Sequence, residues 1–273
     1  MPHARAFASR IRRPLPCAVP VTRLLVLADA HIGPATHSTE QSLLAFLDAV
    51  PDLGDGLLIV GDLFDFWFGY RRAIPRHAFR VAAGLSAVSR RLPVFLVGGN
   101  HDRWGTPFWA EEVGIRYAPR SLDVDVAGRK VRAIHGDGLA ERGGKVGLVH
   151  RLVGHPATSF LFGLLHPDLG LPLVDRIGPR LGDGRNDAAA MAASASRQAT
   201  WAHEHLRTRP DVDVLVMAHS HVPVVQQHEV RRVYLNPGAW LDGGRYGLID
   251  SAFAELHRFT PAAPPRPIEG APR

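Results

Sequence analysis

The sequence has little cysteine, little lysine and no long apolar segment. Cys17 is the only cysteine among the 273 residues, which excludes an intrachain disulfide and a zinc site with several Cys ligands. Lys130 and Lys145 are the only lysines, so arginine carries nearly all of the cationic charge. No run of about 18 or more apolar residues is present, which argues against a membrane-spanning helix. Any metal ion must therefore be bound by imidazole, carboxylate or amide groups.

The charge balance is basic, with a formal net charge of +6 and a sequence pI of about 10.2. Arginine forms bidentate contacts with phosphates and carboxylates, so this excess suits a phosphorylated substrate, a nucleic acid or an acidic membrane surface. A GC-rich genome produces the same bias without any anionic partner. Charge alone therefore leaves the function open.

The chain divides into three parts by composition. Residues 1–21 are predicted to form a disordered basic leader, and the Pro-rich residues 261–273 a disordered tail. Residues 22–260 are predicted to form one α/β domain. Within it, residues of about 145–206 contain no convincing strand and are interrupted by several prolines, which indicates a helical cap insert.

Five apolar runs within the domain are predicted to be buried strands. Their near-continuous Val, Leu and Ile content is typical of strands that are covered on both faces. Two amphipathic helices are predicted between the first three strands, over 38–49 and 76–91, which favours a sheet with helices on its faces. The predicted strands are Arg23–Ala28, Gly56–Val60, Pro93–Val97, Val131–Ile134 and Val212–Met217, and residues 230–249 are predicted to add two or three short ones.

Each of the five strands leads directly into polar residues. Ligands bind beyond the carboxyl ends of strands in open α/β sheets, so we expect these side chains to meet at one edge of the sheet. Asp, Asn and His side chains together suit Mn, Fe or Zn, and two such ions can support displacement at phosphorus. Any one motif could be an ordinary turn, but five in order behind five strands are not expected by chance. The motifs are Asp29-x-His31, Gly61-Asp62, Gly99-Asn100-His101-Asp102, His135-Gly136-Asp137 and His219-x-His221.

This order of motifs resembles the calcineurin-like metallophosphoesterases over residues of about 22–250. Within that superfamily, GDLFDFW, HGDGL, AHSHVP and NPGAW are similar to the UDP-2,3-diacylglucosamine pyrophosphatases of lipid A biosynthesis, which also carry a long helical insert. The resemblance implies a four-layer sandwich of two mixed β-sheets flanked by helices. It implies a metal-dependent phosphoric ester or diphosphate hydrolase that uses two divalent ions, with Mn favoured and Fe or Zn as alternatives.

The resemblance also implies a role for each motif residue. Asp29, His31 and His221 would bind one metal, whereas Asn100, His135 and His219 would bind the other, with Asp62 bridging the two. His101 would stabilise the transition state or protonate the leaving group, and Asp102 would orient it. Some members of the pyrophosphatase family carry Arg at the position of His101. A phosphodiesterase or phosphatase acting on a soluble nucleotide-type substrate therefore stays open as the alternative, and a non-catalytic scaffold is a third.

Further residues are predicted to contact the substrate because they follow the metal motifs directly. They are Arg71, Arg72, Arg103, Trp104, Arg142 and Lys145. The insert is predicted to hold acyl chains or to rest on a membrane surface, although an ordinary packed insert would have a similar sequence. We predict a phosphorylated small molecule or glycolipid as substrate and no nucleic-acid partner. We predict a cytoplasmic location, peripheral on the inner face of the membrane.

Overall fold

The protein, described by a computed structural model, contains two mixed β-sheets flanked by helices. The described residues are 20–33, 36–70, 72–104, 107–139, 156–177, 188–261 and 266–267. The strands are β1 (Leu24–Leu27), β2 (Gly56–Val60), β3 (Val94–Val97), β4 (Arg116–Ala118), β5 (Ser121–Val126), β6 (Arg129–Ile134), β7 (Val214–Val216), β8 (Val224–Glu229), β9 (Arg232–Asn236), β10 (Arg245–Ile249), β11 (Ala254–Arg258) and β12 (Arg266–Pro267). The α-helices are α1 (His37–Leu53), α2 (Phe79–Ser89), α3 (Pro156–Gly163), α4 (Pro167–Ile177) and α5 (Ala188–Thr208).

The seven-stranded sheet has the order β12-β11-β10-β1-β2-β3-β4. Strands β1 to β4 run parallel, with Leu24 opposite Gly56 and Leu57 opposite Val94, whereas β10 joins β1 in the antiparallel sense. The five-stranded sheet has the order β5-β6-β7-β9-β8, and β6, β7 and β9 are parallel. The carboxyl ends of β1, β2 and β3 in one sheet, and of β6 and β7 in the other, lead into the five polar motifs.

Burial on both faces explains the continuous apolar character of the central strands. Alternate residues of β1, such as Leu24 and Val26, pack with residues of the second sheet, such as Val131 and Val216, to form the core between the sheets. The intervening residues Leu25 and Leu27 belong to a second core, which lies under α1 and α2. A third core joins α5 to the outer face of the five-stranded sheet. The layers are therefore helix, sheet, sheet and helix, as the family resemblance implies.

The five predicted strands are confirmed, but the single sheet expected from them is wrong. β1, β2 and β3 belong to the larger sheet, whereas β6 and β7 belong to the smaller one. The apolar pattern could not separate these groups, because both sheets bury both faces of their central strands. Strands β4, β5, β8, β11 and β12 were not predicted from the sequence, and β12 falls in the segment predicted to be a disordered tail.

The two predicted helices are confirmed with small shifts of their ends. The first extends to His37–Leu53, and the second begins with a 3₁₀ turn over Arg76–Ala78 before α2. Most of the leader and tail lies outside the described residues, although Val21 is buried and pairs with Val126, and Arg266–Pro267 pairs with β11.

The part of the insert that the structure describes is helical, as expected, and consists of α3, α4 and most of α5. Phe162 of α3 lies against Phe66, Phe68 and Tyr70, with ring centroids 5.6, 4.9 and 6.1 Å apart, respectively. The insert therefore packs on the segment that follows the Asp62 motif. Among the described residues, no helix combines the length and the apolar character needed to cross a membrane.

Candidate metal centre

All seven side chains predicted as metal ligands lie in one cluster, where the ends of the five strands meet. Within the described residues, three groups have potential ligand atoms within 4.8 Å of one another. They are Asp29 with His31 and His221, Asp62 with His135 and His219, and His31 with Asp62 and His101. The third group connects the first two, and Asn100 contacts His135. The cluster therefore has the composition of a dinuclear site.

The first group joins the end of β1 to the end of β7. His31 Nε2 and His221 Nε2 face each other at 3.4 Å, and His221 Nε2 is 3.7 Å from Asp29 Oδ1. The other carboxylate oxygen of Asp29 accepts a 3.0 Å hydrogen bond from the backbone N–H of His219. This contact between strand ends of different sheets turns Oδ1 toward the imidazoles.

The second group is centred on His135, which follows β6. His135 Nε2 lies 3.2 Å from Asp62 Oδ2 and 3.1 Å from Asn100 Oδ1. Its other ring nitrogen, Nδ1, is 2.8 Å from the carbonyl oxygen of Val60. Since a carbonyl can only accept, Nδ1 carries a hydrogen and donates it. Such a bond fixes the ring and aims Nε2 at the cluster, as is usual for metal-binding His.

The backbone at the cluster is strained. Among the described residues other than glycine, six have positive φ, and five of these six are predicted ligands. The left-handed conformation costs such residues roughly 1–2 kcal/mol each, and it persists only where the surrounding structure imposes it. The five are Asp29 (φ 50°), His31 (45°), Asp62 (49°), His219 (68°) and His221 (58°).

Burial and close charges perturb the pKa values of the cluster. Burial raises the pKa of Asp29 to about 8. Burial acts in the same direction on Asp62, but the charges of His135 and His101 outweigh it and hold its pKa well below the usual value. The pKa of His135 is correspondingly raised well above its usual value, because Asp62 outweighs the effect of burial. Burial, reinforced by His31, lowers the pKa of His221 to about 3.

These residues fit a pair of divalent cations. Asp29 Oδ1 is fully buried and has no hydrogen-bond partner, which is costly unless a cation satisfies it. The donors are carboxylate, amide oxygen and imidazole, a mixture that suits Mn, Fe or Zn. The close approach of buried carboxylates and of imidazole nitrogens is unfavourable without positive charge between them.

His101 lies beside the cluster, with its Nε2 4.0 Å from Asp62 Oδ2. Its Nδ1 donates to the carbonyl oxygen of Asp65 at 2.6 Å, and its backbone N–H donates to Asp62 Oδ1 at 2.9 Å. These contacts leave Nε2 directed toward the same space as the metal ligands.

The role predicted for Asp102, to orient His101, does not match its hydrogen bonds. Its carboxylate oxygens accept hydrogen bonds from the backbone N–H groups of Leu63 and Gly99, each at 2.7 Å. Asp102 is buried, and burial together with Asp62 raises its pKa to about 6. It therefore ties the loop after β2 to the loop after β3, while the carbonyl of Asp65 orients the ring of His101.

The predicted substrate contacts have mixed outcomes. The guanidinium of Arg103 pairs with Asp137, whose pKa it holds below the usual value against the effect of burial. Trp104 packs on Phe66, and Arg72 is exposed. Arg71, Arg142 and Lys145 lie outside the described residues.

Asp65 and Gln198 are site residues to which the sequence assigned no role. Asp65 Oδ1 is 3.5 Å from His31 Nδ1, so this residue contacts both His31 and His101. Buried Gln198 and Asn236 donate to the carbonyl of Ala218, next to His219. The second Asp of the GDLFD motif was a sequence signal for Asp65, but no pattern pointed to Gln198.

Comparison with known proteins agrees with this geometry. The model of the calcineurin-like phosphoesterase family matches residues 22–223. A UDP-2,3-diacylglucosamine hydrolase of Porphyromonas gingivalis is 25% identical over 250 residues, covering 84% of this chain and 94% of that protein. A UDP-2,3-diacylglucosamine hydrolase of Bordetella parapertussis is 29% identical over 205 residues, which cover 73% of this chain and 77% of that protein. The crystal structure of a dimetal phosphatase from Danio rerio shares the fold, with a TM-score of 0.50 at 12% identity over 87% of this chain and 95% of that one. The chain belongs to the calcineurin-like phosphoesterase family and is a metal-dependent phosphoester hydrolase.

Proposed function

We propose that the protein hydrolyses the diphosphate of UDP-2,3-diacylglucosamine to a lipid monophosphate and UMP, with two Mn²⁺ ions as cofactors. The observation that carries the proposal is the convergence of seven ligand side chains from two sheets. Relatives named UDP-2,3-diacylglucosamine hydrolase, similar over most of the chain, support the choice of substrate.

In this proposal, Asp29, His31 and His221 would hold one cation. Asn100, His135 and His219 would hold the other, and Asp62, whose carboxylate lies near both groups, would serve both. When bound, such a pair acidifies water and neutralises the charge of a phosphoryl group. The protein contributes fixed ring orientations, such as the bond from His135 Nδ1 to Val60.

His101 is proposed to act on the oxygen that leaves phosphorus. Its Nδ1 is committed to the carbonyl of Asp65, so Nε2 is the atom that can hold a proton near the diphosphate. A proton or a hydrogen bond at this position neutralises charge that develops in the transition state.

The insert supports a lipid substrate over a soluble one. Phe66, Phe68 and Phe162 form a continuous aromatic cluster. The helices above it expose large apolar side chains to solvent, with Leu161, Leu164 and Leu169 all more than 60% exposed. We propose that this surface receives acyl chains and rests on the cytoplasmic face of a membrane. Apolar area of this kind favours transfer to lipid by roughly 25 cal/mol per Å².

The test is hydrolysis of UDP-2,3-diacylglucosamine in detergent micelles with added Mn²⁺. The release of UMP is the measured quantity. The water-soluble diester bis-p-nitrophenyl phosphate is assayed in parallel. We expect UMP release by the wild type and its loss in Asp62→Ala and His135→Ala, with folding of the variants checked by circular dichroism. Cleavage of the diester without any UMP release would favour the soluble-substrate alternative. Failure to cleave either substrate at full metal occupancy would favour a scaffold.

A further inference from the structure

A pair of histidines outside the catalytic cluster joins the last helix of the insert to the edge of the smaller sheet. His203 lies on α5 and His228 on β8, and the Nδ1 atoms of their rings are 3.1 Å apart. The ring planes are nearly perpendicular, at 80°, with centroids 4.5 Å apart. Neither residue belongs to the cluster around Asp62. We propose that this pair binds a third divalent transition-metal ion, of the Zn²⁺ or Ni²⁺ type.

The distance between the two nitrogens suits binding to one ion. Imidazole nitrogens bind zinc at about 2.0–2.1 Å, so a separation of 3.1 Å corresponds to an N–metal–N angle of about 95–102°. This angle lies between the octahedral and tetrahedral values. The separation of the two nitrogens is therefore one that two imidazoles bound to the same ion adopt.

Polar groups of β8 lie beside the two imidazoles. The strand is irregular between Gln227 and Glu229, where its pairing with β9 shifts register, and both Gln226 and Gln227 face the space next to His228. Gln226, Tyr234 and Leu206 line the same small cavity as the two histidines. The amide oxygens of Gln226 and Gln227 are further donor types in the cavity lining, and solvent can reach the site because His203 is exposed.

Glu229 places a carboxylate near the other nitrogen of the His228 ring. Its Oε1 lies 3.9 Å from His228 Nε2, whereas Nδ1 faces His203. This separation is too long for a hydrogen bond, but the negative charge favours a cation bound beside the ring. Arg232 lies 3.5 Å from the same oxygen and holds Glu229 in place.

A bound ion would fasten α5 to the sheet. α5 packs through Ala202 and Leu206 on Tyr234, and its Gln198 donates to the carbonyl of Ala218 at 2.9 Å, beside His219. The third ion would therefore stabilise the helix that supports one of the catalytic loops, without contacting substrate.

The experiment measures bound Zn²⁺ per chain by equilibrium dialysis and mass spectrometry of the metal-stripped, full-length protein. The wild type is compared with His203→Ala, His228→Ala and the control His37→Ala, which removes a highly exposed imidazole elsewhere. We expect the first two variants to bind one equivalent fewer than the wild type and the control. The Asp62→Ala variant, which disrupts the catalytic cluster, should keep the additional equivalent.

Thermal unfolding gives a second measurement that is independent of catalysis. Added Zn²⁺ should raise the melting temperature of the Asp62→Ala variant more than that of the double variant Asp62→Ala with His228→Gln. Glutamine is chosen because its amide preserves the polarity and much of the size of His228. The proposal is overturned if His203→Ala and His228→Ala bind as much zinc as the wild type and if His228→Gln does not change the thermal shift of Asp62→Ala; the pair is then a simple imidazole hydrogen bond. Diester hydrolysis by His203→Ala and His228→Ala should persist, so this result is separable from failure of the proposed function.

Discussion

Replacing Asp29 by Asn is expected to stabilise the metal-free protein while weakening its metal binding. Asp29 is fully buried, one of its oxygens has no hydrogen-bond partner, and its pKa is raised from 3.8 to about 8. The folded state therefore keeps a proton at neutral pH that the unfolded state has lost. Asn has a similar shape and no charge, so it avoids this cost.

The magnitude follows from the two pKa values. Each pKa unit corresponds to about 1.4 kcal/mol, so a carboxyl with a pKa of 3.8 unfolded and about 8 folded costs about 4 kcal/mol at pH 7. The folded state binds more protons, so stability is greatest below pH 4 and falls as the pH rises to about 8. Coupling to His135, whose own pKa is raised, offsets part of this, and we expect a gain of about 2–4 kcal/mol for Asp29→Asn at pH 8.

Urea unfolding of chelator-treated protein at pH 5 and pH 8 measures the effect. The advantage of Asp29→Asn should be larger at pH 8, and added Mn²⁺ should reverse the order, because only the wild type retains the charged ligand. Asp48→Asn, an exposed carboxylate on α1, should change little at either pH. If metal-free Asp29→Asn is less stable than the wild type at pH 8, the buried carboxylate of Asp29 does not destabilise the folded state.

Three further changes test other parts of the site. Asp65→Asn should weaken metal binding about 10–100-fold through the loss of its carboxylate contact to His31, measured by metal titration; unchanged affinity would exclude that role. Gly99→Ala would place a Cβ in steric overlap with Asp62 Oδ1, so diester hydrolysis should fall by about 100-fold or more, whereas Gly84→Ala on α2 should remain active. Leu164→Ser with Leu169→Ser should raise KM for the lipid substrate about tenfold and leave soluble-diester hydrolysis unchanged; equal effects on both substrates would argue against an acyl-chain surface.

Strands with continuous apolar sequence were predictable, and the others were missed for identifiable reasons. β4 has only three residues, and β8 is a polar edge strand with much of its surface exposed. β5 reads SLDVDV and alternates buried and exposed residues, a period-two signal that the sequence did contain. The division into two sheets was implied by the family resemblance and not by the apolar pattern, because the core between the sheets uses the same residue types as the cores under the helices.

The clustering of the proposed ligands was predictable because side-chain chemistry and strand ends are both visible in sequence. The left-handed backbone conformation of Asp62 and four other proposed ligands was not predictable. Residues other than glycine rarely adopt this conformation unless the surrounding structure imposes it. The contact of His101 with the carbonyl of Asp65 was equally hidden, because every residue carries a carbonyl. Asp102 was assigned by motif position, whereas its hydrogen bonds serve the backbone of two loops.

The candidate metal centre lies across the boundary between the two sheets, and each half of the fold supplies an incomplete set of the proposed ligands. Asp29, His31, Asp62 and Asn100 follow strands of the larger sheet, whereas His135, His219 and His221 follow strands of the smaller one. A folding intermediate with only one half formed would therefore bind cations weakly. Tight cation binding then reports that both halves have docked, and cation release should make their separation easier.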